Sequence, residues 1–275
     1  MWYNVLLNET LIGKILTKQK ENPTNGYTEP PLHADDRLAF TFEKEIMKRI
    51  HIPNMGPDTS TIHTAIAIGV HECKQTGTAD LTLITPVKNN LDTIAIGDFL
   101  GQDVAKRLMK GDRIVIGNYG VSLNHHSVST IQKIRTPSIG LAFYVSKDDI
   151  KKLDALEFNT LIFVPWLNKE GVEWAQKWDA QTHGGTPVDS TISLPSEVEK
   201  SMKRLTTYVN LSTGLGHPSD KEHAKRRFTE LRSAGVIWNP KELEKWAVRN
   251  GWKPSDAEKL SKLSARYTKT EGNQG

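Results

Sequence analysis

Among 275 residues the sequence holds one cysteine, Cys73. No internal disulfide can form, and a cysteine-rich zinc site is excluded. Such usage fits a reducing compartment, so a cytoplasmic protein is expected. No run of about 18 apolar residues occurs, so no membrane span is expected. Residues 1–16 are broken by Asn4, Asn8, Glu9 and Lys14 and lack the basic start and cleavage site of a secretory leader. The chain also lacks G-x-G-x-x-G after a strand, G-x-x-x-x-G-K-[ST], H-E-x-x-H and an EF-hand loop. These absences count against a standard dinucleotide fingerprint and a P-loop ATPase, and no remaining motif names a cofactor.

What is present is ordinary for a folded chain: 37% hydrophobic and 25% charged residues, enough to bury a sizeable core. The net charge of +4 is unevenly spread. From Ser193 onward there are 16 Lys/Arg against 10 Asp/Glu; subtraction from 36 and 32 leaves 20 against 22 for the rest. The excess basicity therefore sits at the C-terminal end, where it suits phosphate, acidic protein or a solvated surface.

Val5, Leu6, Leu11, Ile12, Ile15 and Leu16 approximate a helical stripe, and Phe42, Ile46 and Ile50 suggest a helix over 36–50. Five apolar runs then read as strands: 63–70, 81–85, 113–117, 139–145 and 160–164. A hairpin over 81–96, turning at Lys88-Asn89-Asn90, is an alternative for the second. Helical signals separate the later runs. Asp98 is expected to cap a helix ended by Gly111, Ser146 with Asp149 to open another, and Asn168 to cap a third carrying Val172, Ala175 and Trp178. Alternation of strand and helix implies an α/β fold, a Rossmann-like parallel or mixed sheet.

Residues 181–190, QTHGGTPVDS, have linker composition. They divide an α/β domain with an N-terminal helical segment (1–180) from a basic four-helix domain (191–275). The four helices are signalled by Val198, Met202, Leu205 and Val209 on one face, by Ser219 with Glu222, by Asn239-Pro240 with Glu242, and by Ser255 with Glu258.

In open α/β sheets ligands sit beyond the C-terminal ends of the strands. That rule selects Thr85, Lys88 and Asn89 after the second run, and Asn118, Tyr119 and Ser122 after the third, as contacts for a nucleotide or anionic small molecule. His71, Glu72, Cys73 and Lys74 would follow the first run, and Pro165 and Trp166 the fifth. Gly120-Val121-Ser122-Leu123-Asn124 resembles part of a nucleophile elbow, but Asn124 replaces the second glycine. His125 and His126 are adjacent, so on a strand their rings diverge, and no metal site is expected. Trp174 and Trp178, four apart on one helix face, read as core.

At the C-terminal end, Lys221, Lys225 and Arg232 share a helical face suited to nucleic-acid phosphates. The helices over 239–250 and 255–267 with their glycine-containing turn are reminiscent of a helix-turn-helix. Three function classes follow: a ligand-binding regulatory or nucleic-acid-associated protein, an enzyme acting on a nucleotide or phosphorylated small molecule, and a structural component of an assembly.

Overall fold

A computed structural model describes residues 47–131, 138–184 and 186–268. The N-terminal stripe and most of the helix expected over 36–50 lie outside the described residues. The last part of that helix is instead β1, Lys48–His51.

A seven-stranded mixed sheet has the order β3-β4-β2-β5-β6-β1-β7. Its other strands are β2 (Asp80–Thr85), β3 (Ile114–Ile116), β4 (Val121–Ser127), β5 (Ile139–Phe143), β6 (Thr160–Val164) and β7 (Gln181–Thr182). Every described pairing is parallel except β3 with β4. β5 and β6 are largely apolar on both faces because helices cover both, whereas β2 places Asp80 and Thr82 on one face. One cover holds α1 (Thr59–Thr76), α2 (Ala95–Leu100) and α3 (Gln102–Lys110), which contribute Ile62, Ala65, Ile96, Val104 and Leu108 to one core. The other holds α4 (Val128–Ile131), α5 (Lys147–Leu153) and α6 (Asn168–Trp178), with Ile131, Ile150, Leu153 and Trp174.

Residues 63–70, expected as a strand, lie inside α1. The Ala-Ile-Ala-Ile run imitates a two-residue period, but the ends decide. The Asp58 carboxylate accepts from the Ser60 and Thr61 amides at 3.2 and 3.0 Å, and Gly77 closes the helix at φ +68°. His71, Glu72, Cys73 and Lys74 therefore belong to the last turns of a helix. The alternative hairpin is also overturned, because Lys88–Thr93 is a 3-10 turn leading into α2. Asp98 lies within α2, and α3 is entered through Gly101. Asn168 begins α6 without capping it. Ser146 does cap α5, its hydroxyl accepting from the Asp149 amide at 3.2 Å.

A third core belongs to α7 (Ser196–Tyr208), α8 (Pro218–Ser233), α9 (Pro240–Arg249) and α10 (Pro254–Ser264). The Asn239 cap and Pro240 at the first position of α9 follow the sequence pattern. His217, not Ser219, caps α8, and α10 follows Lys253 with no side-chain cap. Of the residues expected as linker, Gln181 and Thr182 pair with Ile50 and His51 as β7. Across the junction, Lys177 pairs with Glu244 at 2.6 Å, and Arg249 donates to the carbonyls of Gln176, Lys177 and Ser190. Trp178 packs against both the third core and the α5–α6 side of the sheet.

Candidate functional site

The strand ends, where a ligand was expected, are satisfied only in part by the chain itself: His51 Nδ1 and Nε2, Asn54 Oδ1 and Thr182 Oγ1 are buried there without partners. The N-terminus of α1 already holds an anion, since Asp58 accepts from the Ser60 and Thr61 hydroxyls as well as their amides. These bonds pull its carboxyl down to about 2. Beyond β1 and β6, the Asn54 amide donates to the carbonyls of Gly56 and Pro165. Tyr144, at φ +58°, sets its ring edge-on to Trp166 with centroids 5.1 Å apart.

A polar cavity of about 120 Å³ lies instead on the face of the sheet over β2 and β4. Its lining includes Asp80, Thr82, Lys88, Arg113, Asn124, His126 and Ser138. The register explains the gathering. Thr82 pairs with Asn124 and Gly140, and Ile84 with His126. Neighbours across a sheet point the same way, so Asn124 and His126 share the α4 side of the sheet with Thr82. Ile114 pairs with Leu123 in the antiparallel hairpin, which brings Arg113 beside Asn124. The α3 helix ends at Gly111, whose φ of +95° turns the chain back along the cavity wall.

These groups are under-bonded. Asn124 Oδ1, His126 Nδ1, Ser138 Oγ and Asp80 Oδ1 are buried atoms without hydrogen-bond partners. Arg113 Nη1 stands 2.8 Å from Asp80 Oδ1, an ion pair by distance but without the alignment of a hydrogen bond. Lys88 makes no ion pair among the described residues. Burial, with Lys88 and Arg113 nearby, lowers the His126 pKa and keeps its ring neutral. The cavity therefore carries two cations against one carboxylate.

His125 points to the opposite face, as adjacency on a strand requires. Its Nε2 lies 2.8 Å from Thr85 Oγ1, and that hydroxyl donates to the Val87 carbonyl at 3.0 Å. The single hydroxyl proton is thus used, so His125 Nε2 is the donor and its buried Nδ1 keeps a bare lone pair. Burial, then His126 and Lys88, push its pKa down to about 4.

Of the six residues expected to bind a ligand, Lys88 lines the cavity, and Ser122 shares the face of Asn124 two residues away. Thr85 turns to the other face to meet His125. Asn89 is exposed on the 3-10 turn. Asn118 and Tyr119 occupy the β3–β4 turn at the opposite ends of the strands, because β3 runs antiparallel. There the Tyr119 ring receives Lys74 Nζ at 4.1 Å. Ser122 pairs with Asp80 and Thr85 with Ser127, which separates the two groups by about 16 Å at some 3.3 Å per residue. Ser122 lies within β4 instead of on a strand-to-helix turn, so the nucleophile-elbow expectation fails. Among the described residues no three His, Cys, Asp or Glu side chains gather to hold a metal. Cys73 is buried, and burial pushes its thiol up to about 12, which leaves it inert.

Asp80, Thr82, Arg113 and Ser138 were missed, and Asn124 and His126 were weighed only for other chemistry. The alternation Ser122, Asn124, His126 was available as a signal, yet a strand with three polar residues on one face scores poorly as a strand.

In the helical region, Lys221 and Arg232 are exposed and Lys225 is half-buried, bound to Glu222 at 2.6 Å. Arg266, after α10, lies close enough to Lys225 to disfavour its charge. The α10 helix buries Asp256, Ala257, Leu260, Ser261, Leu263 and Ser264, leaving only a narrow outward stripe.

Residues 195–274 match a family described as a domain of unknown function (DUF1889), a span that begins directly before α7. No curated protein and no solved structure matches the chain. No helix among the described residues is long and apolar enough to cross a membrane.

Proposed function

We propose that this chain is a ligand-binding regulatory protein whose sheet takes a small anionic molecule in the cavity over β2 and β4. One observation carries the reading: Asp80, Asn124, His126 and Ser138, gathered around this one cavity with Lys88 and Arg113, each keep a buried side-chain atom without a partner. An unsatisfied buried polar group costs about 1–3 kcal/mol, so such a concentration is retained where a ligand repays it. Lys88 and Arg113 supply the charge for a phosphate or carboxylate, and Asn124 and Ser138 offer bonds to a polar ring or hydroxyl. The size suits a fragment of a nucleotide, since a cavity of roughly 150 Å³ admits a benzene ring.

Binding is favoured over catalysis by His126. A general base is usually oriented by a third group, and His126 Nδ1 has no such partner. The test is native mass spectrometry of the purified protein, joined to thermal shifts with inorganic phosphate and with nucleoside monophosphates. A copurifying anion or a saturable rise in Tm is expected, and both should disappear in Lys88→Gln and Arg113→Gln. Ligands that stabilise those variants as well as the native chain would remove this cavity as the site.

A second reading is favoured by the tail. Lys221, Lys225 and Arg232, with Arg266 near Lys225, form a basic flank of α8 suited to nucleic-acid phosphates, which need no more than a charged face.

A further inference from the structure

The other flank of α8 carries a feature that phosphate contact alone does not require. Tyr208, at the C-terminal end of α7, is 70% exposed. Its ring lies nearly parallel to that of His223 on α8, 18° between planes and 6.3 Å between centroids. Behind His223 stands Arg226, with Nη2 3.1 Å from Nδ1 and 3.3 Å from Nε2 of that ring. Arg204 precedes Tyr208 by one helical turn and so shares its face. Neither Arg204 nor Arg226 makes an ion pair with any described residue. Over 196–233 there are eight Lys/Arg against five Asp/Glu.

We infer that Tyr208 and His223 form a stacking site for an unpaired nucleobase, with Arg226 and Arg204 meeting the adjoining phosphates. A large aromatic ring left in water at a helix end contributes little to folding, because it buries little apolar area. Its planar face accepts any base, and the cations on either side suit the charged backbone of a single strand. Bases within a duplex are paired and stacked, so only an unpaired strand can use the ring. The inference rests on the nucleic-acid reading of the tail and goes further, to the class of nucleic acid and to a second flank of α8.

The test measures fluorescence anisotropy of a labelled oligothymidylate and of a mixed-sequence duplex of equal length, with the full chain at about 50 mM salt, where phosphate contacts are strong. Tyr208→Ala should weaken single-strand binding by about 5- to 100-fold, the span expected for one lost stack, while Tyr208→Phe stays within about twofold. Duplex affinity should be the same in all three proteins. The triple change Lys221→Gln, Lys225→Gln, Arg232→Gln should weaken both nucleic acids and flatten the fall of log K with log salt by about 2–3. Salt-dependent binding that Tyr208→Ala leaves untouched overturns the stacking site and leaves the phosphate reading standing. No binding of either nucleic acid overturns both.

Discussion

Two buried polar clusters flank the same sheet and differ in how their bonds close. In one, the Asp154 carboxylate at the end of α5 accepts from Arg49 Nε at 3.1 Å, Trp174 Nε1 at 3.0 Å and Trp178 Nε1 at 2.7 Å. Arg49 also donates to the Met47 carbonyl and sits over the Trp178 ring, its guanidinium carbon 3.4 Å from the ring centroid. Donors and acceptors match, and the cluster ties β1, α5 and α6 together. In the other, over β2 and β4, Asn124, His126, Ser138 and Asp80 each keep an unmatched atom. Complete matching is the mark of a structural network, and incomplete matching around a cavity is the mark of a site that awaits another molecule.

The largest effect is expected where matching is complete. Asp154→Ala strands a buried guanidinium and two indole N–H groups, and should cost about 3–5 kcal/mol in chemical unfolding. Replacing Arg49 and Asp154 together by Met and Leu should recover most of that loss, because the penalty lies in the unpaired charge and not in the absent attraction. A small loss in Asp154→Ala would show that the cluster is loosely held and would dissolve the contrast.

His125 sets a smaller and pH-dependent effect. Burial first, then His126 and Lys88, lower its pKa from the ordinary 6.5 to about 4. The unfolded chain therefore binds the proton first. Stability is fully present above about 6.5, is lost as pH falls towards 4, and changes no further below that. The total is at most about 3 kcal/mol. His51 is pushed down to about 4 by burial and acts in the same window, whereas burial raises the Asp154 carboxyl, which acts in the opposite sense. The difference between the native chain and His125→Gln isolates His125, since a glutamine amide can still donate to Thr85. A difference that stays flat from pH 7 to about 4.5 would contradict the buried neutral imidazole.

The two clusters were unequally legible in the sequence, and the reason is physical. Trp174 and Trp178 announce a core face by their spacing, and β5 and β6 are nearly continuous apolar runs, so that side of the fold is read directly. Arg49 and Asp154 join those tryptophans from 105 residues apart, a pairing that no local pattern encodes. The cavity was harder still. β1 and β4 carry Lys48, Arg49, His51, Asn124, His125 and His126, residue types that argue against strands, and α1 carries an alternation that imitates one. Because β4 reads poorly as a strand, the sequence hides the antiparallel turn of β3, and the strand-end rule assigns Asn118 and Tyr119 to the wrong ends of the strands. Lys88 was reached by a rule about strand ends, although it serves a cavity on the sheet's face.

The smallest stability effect separates the clusters most sharply. Asn124 is buried, and its Oδ1 has no partner, so the folded protein bears the cost of a desolvated acceptor. Asn124→Leu removes that acceptor and places an apolar group of similar length beside Thr82. Folding stability should stay within about 1 kcal/mol of the native value or rise, since replacing an unsatisfied polar group by an apolar one of like shape is nearly neutral or stabilising. The same change should abolish any rise in Tm with inorganic phosphate or nucleoside monophosphates, because it fills the cavity and removes a contact. The opposite signs carry the contrast: a change that harms folding at Asp154 should be harmless at Asn124, and one that erases ligand response at Asn124 should leave Asp154 bonded. Chemical unfolding of Asn124→Leu, run with and without those ligands, measures both quantities on one sample. A loss of several kcal/mol would mean that Asn124 is bonded in the folded chain and belongs to the structural class. Full stability with an undiminished ligand response would move the binding site away from β4.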